Sequence, residues 1–178
     1  MGLKLARMAP FELNAGTPML QRMAEEEARP YPRVRPDSPQ RIQGWLLERL
    51  GTPWFGAFVV RDGNKAKGFI WGTVEARPLA DPPAFVEMRV LYVAPSHRRR
   101  GVASRLIAAM FAWGRSVLGD ECVFECDAVV GHPAYQMWVE AGGVPLTTRF
   151  AWVDSAGHAR AGQPLALRPV RRDTSAHG

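Results

Sequence analysis

The alternation of apolar and polar residues predicts a chain that mixes strands with helices. The opening segment "LKLARMA" alternates as a half-buried strand does. The segment "TPMLQRMAEEEAR" then places Met19, Leu20 and Met23 at helical spacing behind Thr17, which is typical of an N-cap. We therefore predict a first strand followed by a first helix over about 17–28.

The next hundred residues alternate between turn signals and regular patterns. The proline-rich segment "PYPRVRPDSP" predicts a loop, and "SPQRIQGWLLERLG" predicts a second helix capped by Ser38 and ended by Gly51. Two strand-like runs flank the turn "RDGNK" and predict a hairpin, and "PAFVEMRVLYVAP" predicts another strand. The segment "GVASRLIAAMFAWGRSVLG" has the spacing of a long helix ending at Gly119.

The last third predicts a strand in "ECVFECDAV", a short helix in "HPAYQMWVEAGG", and two closing strands in "VPLTTRFAWV" and "PLALRPV". This order indicates an α/β fold with a mostly antiparallel sheet of six to seven strands and about four helices. We expect residues 1–170 to form one domain and residues 171–178 to be a disordered basic tail.

Composition narrows the class of protein. A chain of 178 residues with 47% hydrophobic content suits one domain, and its formal charge of +6 favours an anionic partner. No apolar run reaches the roughly 18 residues that a membrane span needs, and no signal peptide is evident. Cys122 and Cys126 stand about 13 Å apart along one predicted strand, too far for a disulfide. We expect reduced thiols, no metal site and a cytoplasmic location.

The junction "VAPSHRRRGVAS" carries the strongest functional signal. It joins a predicted strand to a helix through a glycine, and the first amides of a helix lack acceptors and attract anions. A P-loop ends in Gly-Lys-Ser/Thr, which the chain lacks. A Rossmann fingerprint needs its glycine turn near the start of a βαβ unit and an acidic residue about 20 positions later, and this junction does not fit that pattern either. A basic run is by itself also typical of a solvated face or a nucleic-acid patch.

The same residues resemble the signature of the GCN5-related N-acetyltransferase (GNAT) family, with Arg98, Gly101 and Ala103 in the matching positions. The resemblance implies a sheet splayed between its fourth and fifth strands and acetyl-CoA as cosubstrate. It implies that backbone groups along one strand and one loop hold the pantetheine arm and the diphosphate. These cofactor-binding residues are Leu91, Tyr92, Val93, Arg98, Arg99, Arg100, Gly101, Val102, Ala103 and Ser104.

For catalysis, the resemblance implies that Glu87 is the general base, eleven residues before Arg98. The alternative is that Glu87 pairs with Arg89 or Arg77 on the sheet surface. The family's tyrosine acid corresponds to Trp138, an indole that donates a hydrogen bond but is not an acid.

We therefore expect Tyr135 to act as the acid, unless solvent protonates the thiolate. His132 and Trp138 are expected to contact the cofactor.

The sequence thus predicts an N-acetyltransferase that acetylates a primary amine of a small molecule or peptide by direct attack. Two alternatives remain: a CoA-binding sensor without catalysis, and a nucleic-acid binder that uses the arginine run. The resemblance also implies a possible homodimer. Acceptor recognition is expected from the first two helices, where Glu25, Glu26 and Glu27 either attract a cationic amine or form a solvated face.

Overall fold

The computed structural model describes residues 2–29, 35–79, 81–127 and 133–145, which lie within one compact unit. These residues form five strands: β1 Lys4–Arg7, β2 Phe55–Asp62, β3 Lys65–Ala76, β4 Ala84–Val93 and β5 Phe124–Cys126. They also form four α-helices: α1 Pro10–Ala28, α2 Pro39–Arg49, α3 Val102–Leu118 and α4 Pro133–Glu140. A single 3-10 turn, Pro95–His97, follows β4.

The strands lie in the order β1-β2-β3-β4-β5, with β1 to β4 antiparallel and β5 parallel to β4. This confirms the predicted α/β class with a mostly antiparallel sheet flanked by helices. The predicted strand 144–153 lies outside the described residues apart from its first two, and 164–170 lies wholly outside them. The predicted fifth strand is shorter at its start than the sequence pattern, because its ladder with β4 begins at Phe124.

The first helix begins earlier than the sequence pattern predicts. It starts at Pro10, where the backbone N–H of Ala9 donates to the Glu12 carboxylate at 2.6 Å, so Thr17 is not its N-cap. Pro18 lies inside the helix and has no N–H to give to the preceding turn. Gln43 of α2 donates to the nearby Leu13 carbonyl at 3.0 Å and thereby supports this turn from outside.

The second helix, the hairpin and the third helix follow their predictions. The Ser38 hydroxyl accepts a hydrogen bond from the Arg41 N–H at 3.3 Å and caps α2. Gly51 ends that helix region with φ of +94°, and Gly119 follows α3 with φ of +91°. Both angles lie in the left-handed region, which explains why glycine stands at each end.

Two apolar clusters cover the two faces of the sheet. On the α1 face, side chains such as Leu20 and Leu46 from α1 and α2 pack against Phe69 of β3. On the α3 face, Leu106 and Met110 pack against residues of β3 and β4 that include Ile70 and Val86, and Met137 and Trp138 of α4 join the edge of this cluster. The sheet is therefore the middle layer of three.

None of the helices in the described residues is both long enough and apolar enough to cross a bilayer.

Candidate functional site

The central feature of the site is a split between β4 and β5. The parallel ladder joins Val86 to Phe124 and ends where Met88 pairs with Cys126. On its other side β4 keeps pairing with β3 as far as Val93, so the second half of β4 has no strand from the described residues on its β5 side. An open strand edge of this kind offers N–H and C=O groups to an extended ligand.

A β-bulge marks the point at which the split begins. Trp71 pairs with Val90 and Gly72 pairs with Met88, which leaves Arg89 as the extra residue of β4. A Cβ atom on Gly72 would lie 2.7 Å from the Glu87 carbonyl oxygen. Glycine is therefore required at this position, because the bulge brings the two backbones together.

The hydrogen bonds that flank the split show which backbone groups face the open edge. The Ala94 N–H donates to the Lys67 carbonyl of β3 at 2.9 Å, so Tyr92 and Ala94 turn their backbone groups toward β3. Because these directions alternate along a strand, Leu91 and Val93 turn theirs toward the open edge. The structure thus orients Leu91 and Val93 as the binding prediction requires, whereas the backbone of Tyr92 is used within the sheet.

The loop after β4 leads the chain into an uncapped helix start. Arg99 and Gly101 have φ of +61° and +72°, and Gly101 is the N-cap of α3 without a side chain to cap it. The first intrahelical bond, from Arg105 N–H to the Gly101 carbonyl, is 3.2 Å long. The N–H groups of residues 102–104 therefore have no acceptor within the helix, and the helix dipole makes this turn favourable for an anion.

The space in front of this turn is open. A Cβ atom built on Gly101 would meet no heavy atom of the described residues within 4 Å beyond its own chain neighbours. Crowding in the folded chain therefore does not explain glycine at this position, whereas the positive φ does. Val102 is buried against the α3-face cluster, Ala103 is half-buried, and Ser104 is exposed.

The three arginines of the loop have different surroundings. All three are exposed, but the side chain of Arg98 has contacts within the fold. Arg98 donates from Nε to the Val93 carbonyl at 2.9 Å and from Nη2 to Oε2 of Glu26 at 2.7 Å. Its guanidinium also lies 5.8 Å from the centre of the Tyr92 ring. The side chain of Arg98 is thus held toward α1, and its charge is already paired.

The candidate base, Glu87, lies on the α1 face of β4, among charged side chains of β3 and β4. Its Oε2 lies 2.7 Å from Nη2 of Arg89, which also binds Glu75 at 2.9 Å. The ion-pair alternative for Glu87 is therefore present in the structure, with Arg89 as the partner. The hydroxyl of Thr73 and the guanidinium of Arg89 together lower the pKa of Glu75, against a smaller opposing effect of its partial burial.

The other expected partner, Arg77, pairs with a different carboxylate. Arg77 contacts Glu125 of β5 at 2.5 Å and lies over the ring of Phe85 at 4.3 Å. Glu125 is the register partner of Glu87, so the two carboxylates are neighbours across the last pairs of the β4–β5 ladder. This face of the sheet carries carboxylates of both strands next to the split.

The cysteines are free thiols, and both lie in surroundings that favour the protonated form. Cys126 ends the β4–β5 ladder, and burial followed by the charge of Asp127 raises the pKa of its thiol to about 11. Burial also raises the pKa of Cys122. A thiol that stays protonated near pH 7 is a poor nucleophile.

The remaining predicted residues belong to α4 or precede it. Trp138 packs against the α3-face cluster, on the face of the sheet that carries α3. Tyr135 is half-buried on the same helix. His132 and the predicted closing hairpin lie outside the described residues.

In the described residues, no group of three or more His, Cys, Asp or Glu side chains is placed to hold a metal ion. The absence of a metal therefore stays a prediction for the whole chain.

Glu26 is the residue at this site whose contact with Arg98 was not predicted from the sequence. It lies three positions after buried Met23, on the helical stripe that also contains Met19. A carboxylate on the buried stripe of a helix needs a partner, and that is the signal by which the sequence marks Glu26. The charged run 25–27 instead attracts attention as a surface feature.

The arrangement was compared with known proteins. The profile of the acetyltransferase (GNAT) family matches residues 20–142. No curated protein sequence matches the chain.

Solved structures share the fold at low sequence identity. Aminoglycoside N-acetyltransferase AAC(6')-Iy in complex with CoA has 21% identity and a TM-score of 0.63, over 88% of this chain and 96% of that one. Glucosamine-6-phosphate N-acetyltransferase from Arabidopsis thaliana has 11% identity and a TM-score of 0.65, over 86% and 99%. Ribosomal-protein-alanine N-acetyltransferase from Brucella melitensis biovar Abortus 2308 has 13% identity and a TM-score of 0.63, over 86% and 99%.

Proposed function

The chain belongs to the acetyltransferase (GNAT) family, and on that premise we propose that it transfers an acetyl group from acetyl-CoA to a primary amine. One observation carries the proposal: the open edge of β4 leads directly into the uncapped start of α3. A molecule with an extended arm joined to a diphosphate has the shape and charge to occupy both. CoA is such a molecule, and it is present in the solved complex with AAC(6')-Iy.

The backbone of the chain is proposed to do the binding. The N–H groups of residues 99–104 hold the diphosphate, and the open-edge groups of Leu91 and Val93 pair with the pantetheine amides. The carbonyl of Val93 is already bonded to Arg98, so this residue offers its N–H and recognises an acceptor. Exposed Arg99 and Arg100 add positive potential in front of the anion.

The chemistry requires a neutral amine and a protonated leaving group. Acetyl-CoA supplies an activated acetyl group whose C–S bond breaks as the new C–N bond forms. Glu87 accepts the proton lost by the amine, directly or through one water, while Arg89 holds its Oε2. Tyr135 or solvent provides the proton that the departing sulfur takes up.

The acceptor is proposed to approach from the α1 face, where Glu87, Glu75 and Glu125 lie. These carboxylates are partly neutralised by Arg89 and Arg77, which leaves a mildly acidic surface for an amine. The similar structures include enzymes named for aminoglycosides, for an amino sugar phosphate and for a ribosomal protein. We therefore keep the acceptor class as a primary amine of a small molecule or a peptide.

Thiol release measured with acetyl-CoA over a panel of such amines tests the activity, and calorimetric titration with CoA tests the binding. We expect CoA to bind at micromolar concentration and at least one amine to release thiol. Absence of CoA binding at millimolar concentration contradicts the whole proposal.

A second candidate is a CoA-binding protein of the same fold without catalysis. Two observations favour it: the ion pair of Glu87 with Arg89, and tryptophan at 138 where the family's tyrosine is expected. Tight CoA binding without thiol release from any amine of the panel would favour this candidate over the transferase.

A further inference from the structure

We infer that Glu26 of α1 is a positioning residue for the diphosphate loop, which it holds through the side chain of Arg98. This inference rests on the proposed function, because the loop is the part of the site that receives CoA. It assigns to Arg98 a role in fixing the loop and not in contacting the phosphates. The contact among Glu26, Arg98 and the Val93 carbonyl is called the Glu26–Arg98 bridge below.

The geometry of the bridge ties three parts of the fold together. Arg98 reaches back five residues to the last carbonyl of β4 with Nε, at 2.9 Å, and across to α1 with Nη2, at 2.7 Å. Arg98 is also the residue directly before Arg99, where the backbone enters the left-handed region. The contacts of Arg98 therefore hold the backbone at the start of the loop, and this position sets the direction of the loop amides that follow.

Glu26 is itself held in place by a second contact. The hydroxyl of Tyr92 donates to Oε1 of Glu26 at 3.5 Å, while Oε2 accepts from Arg98. Burial, followed by the charge of Glu26, raises the pKa of Tyr92, so the phenol remains a donor at neutral pH. The carboxylate is thus fixed between a buried side chain of β4 and the loop arginine.

The opposite reading makes a different prediction about CoA. If Arg98 left Glu26 to bind the diphosphate, Glu26 would compete with the ligand, and its neutralisation would strengthen binding. If Glu26 positions the loop, its neutralisation releases the loop and weakens binding. The sign of the change in CoA affinity therefore separates the two readings.

The test uses Glu26→Gln in the full chain, with Glu25→Gln as the matched control. Glu25 is the exposed neighbour on the same helix, and its carboxylate accepts from Gln21 of its own helix at 3.1 Å. Arg98→Gln tests the bridge from its other end and serves if the first variant folds poorly. Hydrogen exchange of residues 94–105 without ligand, CoA dissociation constants and steady-state kinetics are measured for each protein.

We expect Glu26→Gln to speed exchange in the loop and to raise the CoA dissociation constant roughly threefold to tenfold, as suits a partly exposed charged pair. KM for acetyl-CoA should rise while kcat changes little, because the residue does not touch the reacting atoms. A variant that carries both Glu26→Gln and Arg98→Gln should resemble Arg98→Gln alone, since the two substitutions break the same bridge. Glu25→Gln should match the unchanged protein in loop exchange and in the CoA dissociation constant, the two measurements that test the bridge.

Two results overturn the inference: unchanged loop exchange in Glu26→Gln, or tighter CoA binding by that variant. If the unchanged protein binds no CoA, the proposed function fails. Loop exchange in the ligand-free variants then still decides whether the bridge holds the loop.

Discussion

Replacement of Gly101 by valine separates the cost of a strained backbone from the loss of a ligand site. The residue has φ of +72°, and a Cβ atom there meets no protein atom within 4 Å beyond its chain neighbours. The cost to folding is therefore backbone strain, about 1–2 kcal/mol. In a domain of this size that lowers Tm by about 2–8 °C.

The cost to CoA binding should be larger than the cost to folding. A branched side chain occupies the open space from which a diphosphate would approach the loop amides. Hydrogen bonds to a charged group contribute about 1.5–3 kcal/mol each, so losing two of them raises the dissociation constant about 100-fold or more. Calorimetric titration with CoA measures this change directly.

Gly119→Val provides the matched control at the other end of α3. Gly119 has φ of +91° and equally open surroundings, but it lies at the opposite end of the helix from the loop. We expect a fall in Tm at least as large, because ψ of 177° at Gly119 lies in a region that is essentially restricted to glycine, and an unchanged CoA dissociation constant. Equal losses of CoA affinity in the two variants, or full affinity in Gly101→Val, would refute the placement of the diphosphate at the start of α3.

Three further outcomes are expected. Glu87→Gln should lower kcat about 100-fold or more if this residue is the base, with far less effect on CoA affinity than the loop substitution has; an unchanged kcat would favour an unassisted amine. Gly114→Ala should destabilise the fold by about 1–3 kcal/mol in denaturant unfolding, because its Cβ would lie 2.5 Å from the Phe124 ring, whereas Gly44→Ala, with open space in α2, should not. Alkylation of Cys126 in the folded protein should stay slow below pH 9 and accelerate toward pH 11, since its raised pKa keeps the thiol protonated in that range; fast alkylation at pH 7.5 would contradict this.

Local patterns predicted most of the elements because the same short-range physics forms them. The Ser38 cap, the turn between β2 and β3 and the apolar spacing of α3 are all determined within a few residues of sequence. The start of α1 was mispredicted because Thr17 and Pro18 imitate a helix start, while the actual start at Pro10 depends on a carboxylate two positions later. Local sequence alone does not decide which of these two helix-start signals is used.

The partners of charged residues could not be predicted in the same way. Arg98 and Glu26 are 72 positions apart, and no pattern along the chain relates them. By contrast, Glu87 and Arg89 are two positions apart on one strand, and their ion pair is one of the two alternatives that the sequence left open. The family resemblance indicated the candidate site residues, whereas the tertiary contacts show which partners their charged groups have.

The bulge at Arg89 also changes which residues of β4 turn their backbone groups toward the split. Before it, Val86 and Met88 point to the α3 face; after it, Leu91 and Val93 do, so the extra residue shifts the alternation by one position. Without this shift, Leu91 and Val93 would point to the α1 face and their backbone groups toward β3. The single extra residue therefore turns the backbone of β4 toward the split. It does so while Glu87 remains on the α1 face, so the proposed binding edge and the proposed base lie on either side of the same bulge.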